Sequence, residues 1–341
     1  MMTLNRRRLG SSEFMVSELC LGTMMFADQT DEATAAAMLD RFLAVGGNFV
    51  DTADSYAGTG SEKMLGRLLS ARNADIVLAT KCGNPLPGVE GSGGLDPEWI
   101  GRAARMSLER LGRDSIELFY LHHDDNKTSL DEIVHAVGRL IDDGVIATWG
   151  ISNFRPWKIV EMVALADRAG IARPVAAQPC YHMLNRIAEA DYIPACRHHG
   201  IGVVPYSPLA RGVLTGKYRN GLPPGSRAAR GDRRMMETEF RDETLALAAR
   251  AAEHADARGR EPAHLALRWV LANDAVTSVL IGPKNLEQLD AYIAASQCPY
   301  DEEDETVLSG LCMPGTTPVP NYMDPRQPLH GRRVDLGRGG R

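Results

Sequence analysis

Asp51, Lys81, His122, Ser152, Gln178, Tyr206 and Gly282 stand at the ends of short apolar runs. The runs read NFVDTAD, IVLATK, IELFYLH, ATWGIS, VAAQP, VVPYS and SVLIG. A carboxylate, an amine and an imidazole, with the phenol of Tyr56 just past the first run, are residue types that hold and move protons. Polar groups at the ends of successive buried strands point to one site assembled by many strands. A closed ring of parallel strands gathers such ends on one face, where the connecting loops build an active site. Asp51, Tyr56, Lys81 and His122 are therefore read together as a proton-transfer cluster. Singly, each has a plainer reading: Asp51 as a turn cap, Tyr56 as a half-buried aromatic, Lys81 as a solvated strand end, His122 as a core histidine.

The elements that must place these groups are legible between the runs. Alanine- and leucine-rich amphipathic stretches alternate with them, such as DEATAAAMLDRFLAVGG, PEWIGRAARMSLERLG and SLDEIVHAVGRLIDDG. Asp31, Ser61, Asp96 and Ser129 precede helical patterns as caps, and Gly46, Gly112, Gly144 and Gly170 follow them as left-handed stops. This rhythm specifies βαβ units and a parallel sheet. The strands are apolar on both faces, as a sheet covered by helices requires. The prediction is an α/β fold, a single (β/α)8 barrel over residues 1–312. A long loop follows the seventh strand, and an irregular tail rich in Pro, Gly and Arg occupies 313–341.

The loop, RNGLPPGSRAARGDRRMMETE, shows no helical stripe before Asp242 and has the length of a functional lid. Arg219, Arg227, Arg230, Arg233 and Arg234 make it a candidate cover for an anion; a solvated surface loop is the equal alternative.

With a net charge of −6, a nucleic-acid partner is not expected, because that needs a basic face. No run of eighteen apolar residues and no signal-peptide core is present, so no membrane partner is expected. The six cysteines lack paired zinc spacing, which reads as free thiols in a reducing cytoplasm. HHDD at 122–125 has metal-ligand types, but adjacent His122 and His123 on a strand face opposite ways. His198 and His199 end a helix, where cationic groups suit the dipole. No metal is expected. Monomer and homo-oligomer are equally compatible with the pattern.

Taken in order, GTMMF at 22–26, GGNFVDTADSYAGTGSEKMLGRLL at 46–69, ATK at 79–81 and DSIELFYLHHDD at 114–125 resemble the aldo-keto reductase superfamily. GISNF at 150–154, Gln178 and PYSPLARGVLTGKY at 205–218 extend the resemblance over roughly residues 8 to 295. It implies a (β/α)8 barrel and NAD(P)H-linked interconversion of a carbonyl and an alcohol, with a small-molecule carbonyl as substrate. The tetrad would be Asp51, Tyr56, Lys81 and His122. Tyr56 would donate the proton, Lys81 would lower its pKa, Asp51 would hold Lys81, and His122 would orient the carbonyl oxygen.

The chain has no strand-linked GxGxxG, so a Rossmann phosphate loop is missing. By resemblance, Gly22, Thr23 and Asp51 belong to the cofactor site, Ser152, Asn153 and Gln178 hold the nicotinamide amide, and Tyr206 stacks on the ring. Ser207, Pro208, Leu209, Gly212 and Lys217 follow the pyrophosphate. At the adenosine end the chain reads Gly282-Pro283-Lys284-Asn285-Leu286-Glu287-Gln288, where the family pattern is G-x-R-x-x-x-Q. Lys284 would meet a 2′-phosphate as a point charge, favouring NADPH over NADH. Met24, Met25, Phe26, Tyr56, His122 and His123 would rim the substrate pocket, with Pro318, Tyr322 and Met323 over it or on the flank. The competing reading is a nicotinamide-binding partner protein of the channel β-subunit type, with slow or vestigial turnover.

Overall fold

A computed structural model describes residues 3–72 and 74–319. The chain opens with an antiparallel hairpin, β1 (Arg6–Arg8) against β2 (Met15–Ser17). The repeat follows: β3 (Leu19–Gly22), α1 (Glu32–Ala44), β4 (Phe49–Asp51), α2 (Gly60–Ser70), β5 (Val77–Cys82), α3 (Pro97–Leu111) and β6 (Ile116–Leu121). It continues with α4 (Leu130–Asp142), β7 (Ile146–Ser152), α5 (Pro156–Ala169), β8 (Ala176–Gln178), α6 (Tyr192–His199) and β9 (Gly202–Val203). A short helix α7 (Arg233–Glu237), then α8 (Asp242–Ala257) and α9 (Pro262–Ala272), precede β10 (Val279–Ile281), α10 (Leu286–Ser296) and α11 (Glu302–Ser309).

Strands β3 to β9 pair in chain order and β10 pairs with β3, all in parallel. The ring closes between β9 and β10 through backbone bonds from Thr277 to the Val203 carbonyl (2.8 Å) and from Leu280 to the Pro205 carbonyl (3.0 Å). The predicted (β/α)8 barrel is the observed fold. The seven apolar runs omit its first strand, because Leu19–Gly22 is four residues long and has no β-branched residue. They also omit the hairpin, whose arginine strand carries no apolar pattern.

Alternate residues of each strand face the lumen. Cys20, Phe49, Val77, Ala79, Leu118, Tyr120, Ala176 and Val204 fill it, and Leu9 and Val16 of the hairpin plug its floor. At that floor Gly10 has φ +54°, and a Cβ there would lie 2.2 Å from the Val175 carbonyl oxygen. The opposite strand residues, among them Leu21, Val50, Leu78, Phe119, Trp149 and Ile151, pack on the helices. Period two thus leaves Asp51, Lys81, His122, Ser152, Gln178 and Tyr206 pointing inward at the upper end.

Asp31, Asp96 and Ser129 cap α1, α3 and α4 through side-chain bonds to backbone amides. Ser61 does not cap; it lies inside α2, where its hydroxyl meets Thr23 and Thr52. That first turn is entered instead through Thr59 in a left-handed conformation, φ 82°. Gly46, Gly112, Gly144 and Gly170 all take positive φ.

The loop after β9 departs from the expected irregular course. Asp232 accepts a hydrogen bond from the Met235 amide and starts α7, which Met235 anchors in the core. The Pro/Gly-rich surroundings hid a single turn of helix, too short to show a stripe. Of the tail, Arg186 and Thr316 bond through their backbones (2.9 Å), which sets it against the loop after β8. Pro318 is described, whereas Tyr322 and Met323 lie outside the described residues.

Candidate active site

A cleft of about 890 Å³ opens over the carboxyl ends of the barrel strands. Its wall includes Asp51, Tyr56, His122, Ser152, Asn153, Gln178, Tyr206, Ser207, Pro208, Leu209, Gly212, Lys217, Gly282, Lys284 and Gln288. Gly22 at the end of β3 and Met24 and Met25 in the loop after it join them. One cavity therefore collects residues spread over 274 positions, Gly22 to Ala295 inclusive, out of the 341 in the chain.

Lys81 is fully buried just behind the wall, and its ammonium donates to the Asp51 carboxylate and to the Thr52 carbonyl (2.7 Å). It also stands 3.4 Å from the Tyr56 hydroxyl. Gln178 Nε2 donates to the other Asp51 oxygen at 3.0 Å. The charged pair is thus wired on both sides, as a buried ion pair needs if desolvation is to be offset. Burial works against the Lys81 ammonium, yet the Asp51 carboxylate and the Tyr56 hydroxyl hold its pKa above the ordinary lysine value.

Burial pushes the Tyr56 phenol up from its ordinary value, with Lys81 pulling the other way. The sequence had suggested a phenol lowered by Lys81; in the folded site burial outweighs that attraction. Tyr56 is held as the protonated acid. His122 shows the reverse shift: burial first, then the positive fields of Lys81, His123 and Arg234, push it well below the usual histidine value. Its ring is neutral at pH 7. Asn84 Nδ2 lies 3.0 Å from His122 Nδ1. With Nδ1 accepting, the ring proton sits on Nε2, available to donate into the cleft. Asn84 was not singled out in the sequence, though a polar residue three places past Lys81 on the same strand end was the available signal.

Asn153, with φ 61°, donates to the His122 carbonyl and to Ser152 Oγ, both at 2.9 Å, and accepts from the Tyr206 hydroxyl at 2.9 Å. Ser152 Oγ donates to the Gln178 carbonyl at 2.9 Å. These bonds tie four strand ends, those of β6, β7, β8 and β9, into one polar floor. Thr23, Phe26 and His123 stand outside the cleft wall among the described residues. Thr23 is buried behind it, bonded to the Asp51 carbonyl and Ser61. Phe26 is in the core between barrel and helices. His123 follows His122 on the chain and so faces away, its Nδ1 at 3.2 Å from the Asp124 carbonyl.

The loop after β9 contributes Ser226, Arg227, Arg230, Asp232 and Arg234 to the wall. Arg219 and Arg233 instead point outward to Asp256 and Glu237. At the far end of the loop the Glu239 carboxylate lies 3.3 Å from His182 Nε2, both side chains buried. Cys180, His182 and Glu239 bring potential metal-ligand atoms within 4.8 Å of one another. The Leu184 amide, however, donates to His182 Nδ1 (3.3 Å), which places the ring proton on Nε2 facing Glu239.

A (β/α)8 barrel with a large polar-floored cleft over its strand ends is the architecture of a barrel enzyme. Residues 18–310 match the Aldo/keto reductase family, and the chain belongs to that family. It is 36% identical to the uncharacterized oxidoreductase YrpG of Bacillus subtilis (strain 168), over 89% of this chain and 94% of the relative. A probable voltage-gated potassium channel subunit beta of Arabidopsis thaliana is 34% identical, over 85% of this chain and 90% of the relative. The L-glyceraldehyde 3-phosphate reductase of Escherichia coli (strain K12) is 32% identical, with 85% and 86% covered. The protein is an oxidoreductase of a family that works with nicotinamide cofactors. No helix among the described residues is long and apolar enough to cross a membrane.

Proposed function

We propose that the protein reduces an aldehyde or ketone to the alcohol with NADPH, Tyr56 serving as the general acid. The observation that carries the reading is the buried chain Gln178–Asp51–Lys81–Tyr56, which ends on a protonated phenol inside the cleft. NADPH, when bound, supplies the hydride. Charge then develops on the carbonyl oxygen, where the Tyr56 hydroxyl delivers a proton and His122 Nε2–H donates a hydrogen bond. Lys81, kept charged by Asp51, stabilises the phenolate that Tyr56 becomes.

The residues fit the cofactor. Six cations line the cleft (Arg211, Lys217, Arg227, Arg230, Arg234, Lys284) against three carboxylates (Asp28, Asp51, Asp232), one of which is committed to Lys81. Gly212 and Gly282 face the same cleft without side chains. Ser152, Asn153 and Gln178 would hold the nicotinamide amide and Tyr206 its ring, with Ser207 to Gly212 and Lys217 along the pyrophosphate. Lys284 would take the 2′-phosphate beside Gln288, which accepts from the Lys284 amide at 3.1 Å. Sugar-like carbonyls and bulky ring ketones are the candidate substrates.

The channel-subunit relative favours a second reading, a cofactor-binding partner protein with vestigial turnover. Stopped-flow NADPH oxidation against a panel of carbonyls separates the two. The wild type should turn over, and Tyr56→Phe should lose roughly a hundredfold or more in kcat with NADPH affinity retained. A Tyr56→Phe variant as active as wild type would remove Tyr56 from the acid role.

A further inference from the structure

Hydrogen bonds within the cleft leave the Asn84 carbonyl oxygen unused. Asp51, Ser152, Asn153, Gln178 and Tyr206 are joined to one another in the polar floor. Gln29 Nε2 donates to Asp28 at 3.4 Å, and the Thr30 hydroxyl donates to the Lys284 carbonyl at 2.9 Å, which places that pair at the Lys284 end. Asn84 stands at the other end, in the wall with Ser55, Tyr56 and His122. Its Nδ2 carries two hydrogens and has two partners, Ser55 Oγ at 3.2 Å and His122 Nδ1 at 3.0 Å. Its Oδ1 accepts from no group among the described residues. With oxygen and nitrogen exchanged, the imidazole proton would move to Nδ1 and leave Nε2 bare where the carbonyl oxygen needs a donor.

The backbone that carries Asn84 is built for this position. It leaves β5 through Gly83 at φ +133°, a conformation that side chains rarely adopt. The Gly94 amide returns to the Gly83 carbonyl at 2.9 Å and closes the loop. Gly93 passes so near that a Cβ on it would lie 3.0 Å from the Pro85 nitrogen, and Ser92 Oγ accepts from the Leu86 amide at 2.8 Å. The Leu95 amide donates to Asp125 Oδ2 at 2.8 Å, three residues past His122. The Asn84 amide and the imidazole therefore share one frame.

We infer that Asn84 Oδ1 selects substrates by accepting a hydrogen bond from a hydroxyl one or two carbons from the reacting carbonyl. The inference rests on the carbonyl-reductase reading above. His122 Nε2–H and the Tyr56 hydroxyl meet the carbonyl oxygen at one edge of the imidazole, and Asn84 stands at the other edge, on Nδ1. The two ring nitrogens flank a single carbon, so the two contacts are spaced like oxygens on a short carbon chain and together orient the substrate. Only a donor satisfies Oδ1; an ether or a methyl group in the same place removes its water and returns nothing.

The test measures kcat/KM for hydroxyacetone, methoxyacetone and 2-butanone, and for 4-hydroxy-2-butanone, 4-methoxy-2-butanone and 2-pentanone, in wild type, Asn84→Ala and Asn84→Asp. Intrinsic reactivity cancels when a ratio is compared between proteins. In at least one series the advantage of the hydroxyl member over both others should fall about three- to tenfold in Asn84→Ala, the scale of one neutral hydrogen bond. The series that responds gives the spacing. Asn84→Asp keeps an acceptor oxygen but has no hydrogen for His122 Nδ1, so kcat should drop for every substrate while the ratios hold. Ratios unchanged in Asn84→Ala in both series overturn the proposal. Ratios that fall as far in Asn84→Asp also overturn it, since the amide hydrogens would then make the contact.

Binding to the wild-type protein–NADP+ complex, followed by intrinsic fluorescence, needs neither turnover nor a variant that folds. At least one of 1,2-propanediol and 1,3-butanediol should bind about threefold or more tighter than its methyl counterpart, 2-butanol or 2-pentanol. Equal affinities in both pairs overturn the proposal. If this selectivity appears while no carbonyl is reduced, the reductase reading fails and the Asn84 contact stands; if reduction occurs without selectivity, the reverse holds.

Discussion

Asp54 shows what one buried group can do to the pH response of the whole protein. It is fully buried, its two oxygens make no well-formed hydrogen bond, and it shares its pocket with the carboxylate of Glu62. Burial first, then Glu62, push its pKa up to about 8. An unfolded aspartate titrates near ~3.9. Between those values the folded chain keeps a proton that the unfolded chain has lost, so stability falls as pH rises from about 4 through about 8. Asp54→Asn removes that loss. Its melting temperature relative to wild type should therefore rise between pH 5 and pH 9, as read by paired thermal melts. A difference that does not change with pH would mean that Asp54 is not protonated in the folded protein. The same residue shows the limit of reading side chains singly: in NFVDTADSY, Asp51 and Asp54 are two acids three apart, and nothing in the string says that one is ionised against Lys81 while the other is stranded.

At the scale of elements, the floor and the lid carry the expectations. Gly10 turns the N-terminal hairpin under the barrel where both its positive φ and the Val175 carbonyl forbid a side chain. Gly10→Ala should lower stability by about 2 kcal/mol or more, since overpacking and left-handed strain add, measured by urea unfolding. A loss within the error of the measurement would show that the hairpin shifts freely. The loop from Arg219 to Glu239 lines the cleft with Arg227, Arg230 and Arg234 and is tied down through the buried Met235, whose amide donates to Asp232. Cofactor phosphates beside Arg227 and Arg230 should protect its backbone between Asn220 and Asp232, the part that precedes the Met235 anchor. Hydrogen exchange at saturating NADPH reads this directly, and unchanged protection leaves a loop with no part in cofactor retention. Period and caps made the βα rhythm visible in the sequence. They did not reveal α7, because a single turn needs no stripe, or the exact entry to α2, where Ser61 serves the wall behind Asp51 instead of the helix end.

For the whole molecule, net charge and local charge oppose each other. The chain carries −6 overall, yet its cleft holds six cations against three carboxylates. A concave site focuses such a field, so an anionic ligand is drawn in despite the acidic exterior. NADPH should bind more tightly than NADH, the margin should shrink as salt rises, and Lys284→Ala should remove most of it; fluorescence titrations at low and high ionic strength measure all three. Equal affinities for the two cofactors in wild type would mean that Lys284 does not meet a phosphate.

The sequence by itself determined the class of fold, because hydrophobic period, helix caps and strand-end polar residues are local properties that each stretch carries alone. It also determined the strand-end set Asp51, Lys81, His122, Ser152, Gln178 and Tyr206, since each closes a short apolar run of its own. Only the tertiary structure decided what the set becomes. Closing the ring buried Lys81 against Asp51, and burial rather than the neighbouring ammonium set the state of Tyr56. It brought Asn84 to His122 and so chose the protonated nitrogen. It placed Thr23 and Phe26 behind the wall and Arg234 within it. Those outcomes depend on distance and desolvation between residues far apart in the chain, and neither quantity exists until the barrel has closed.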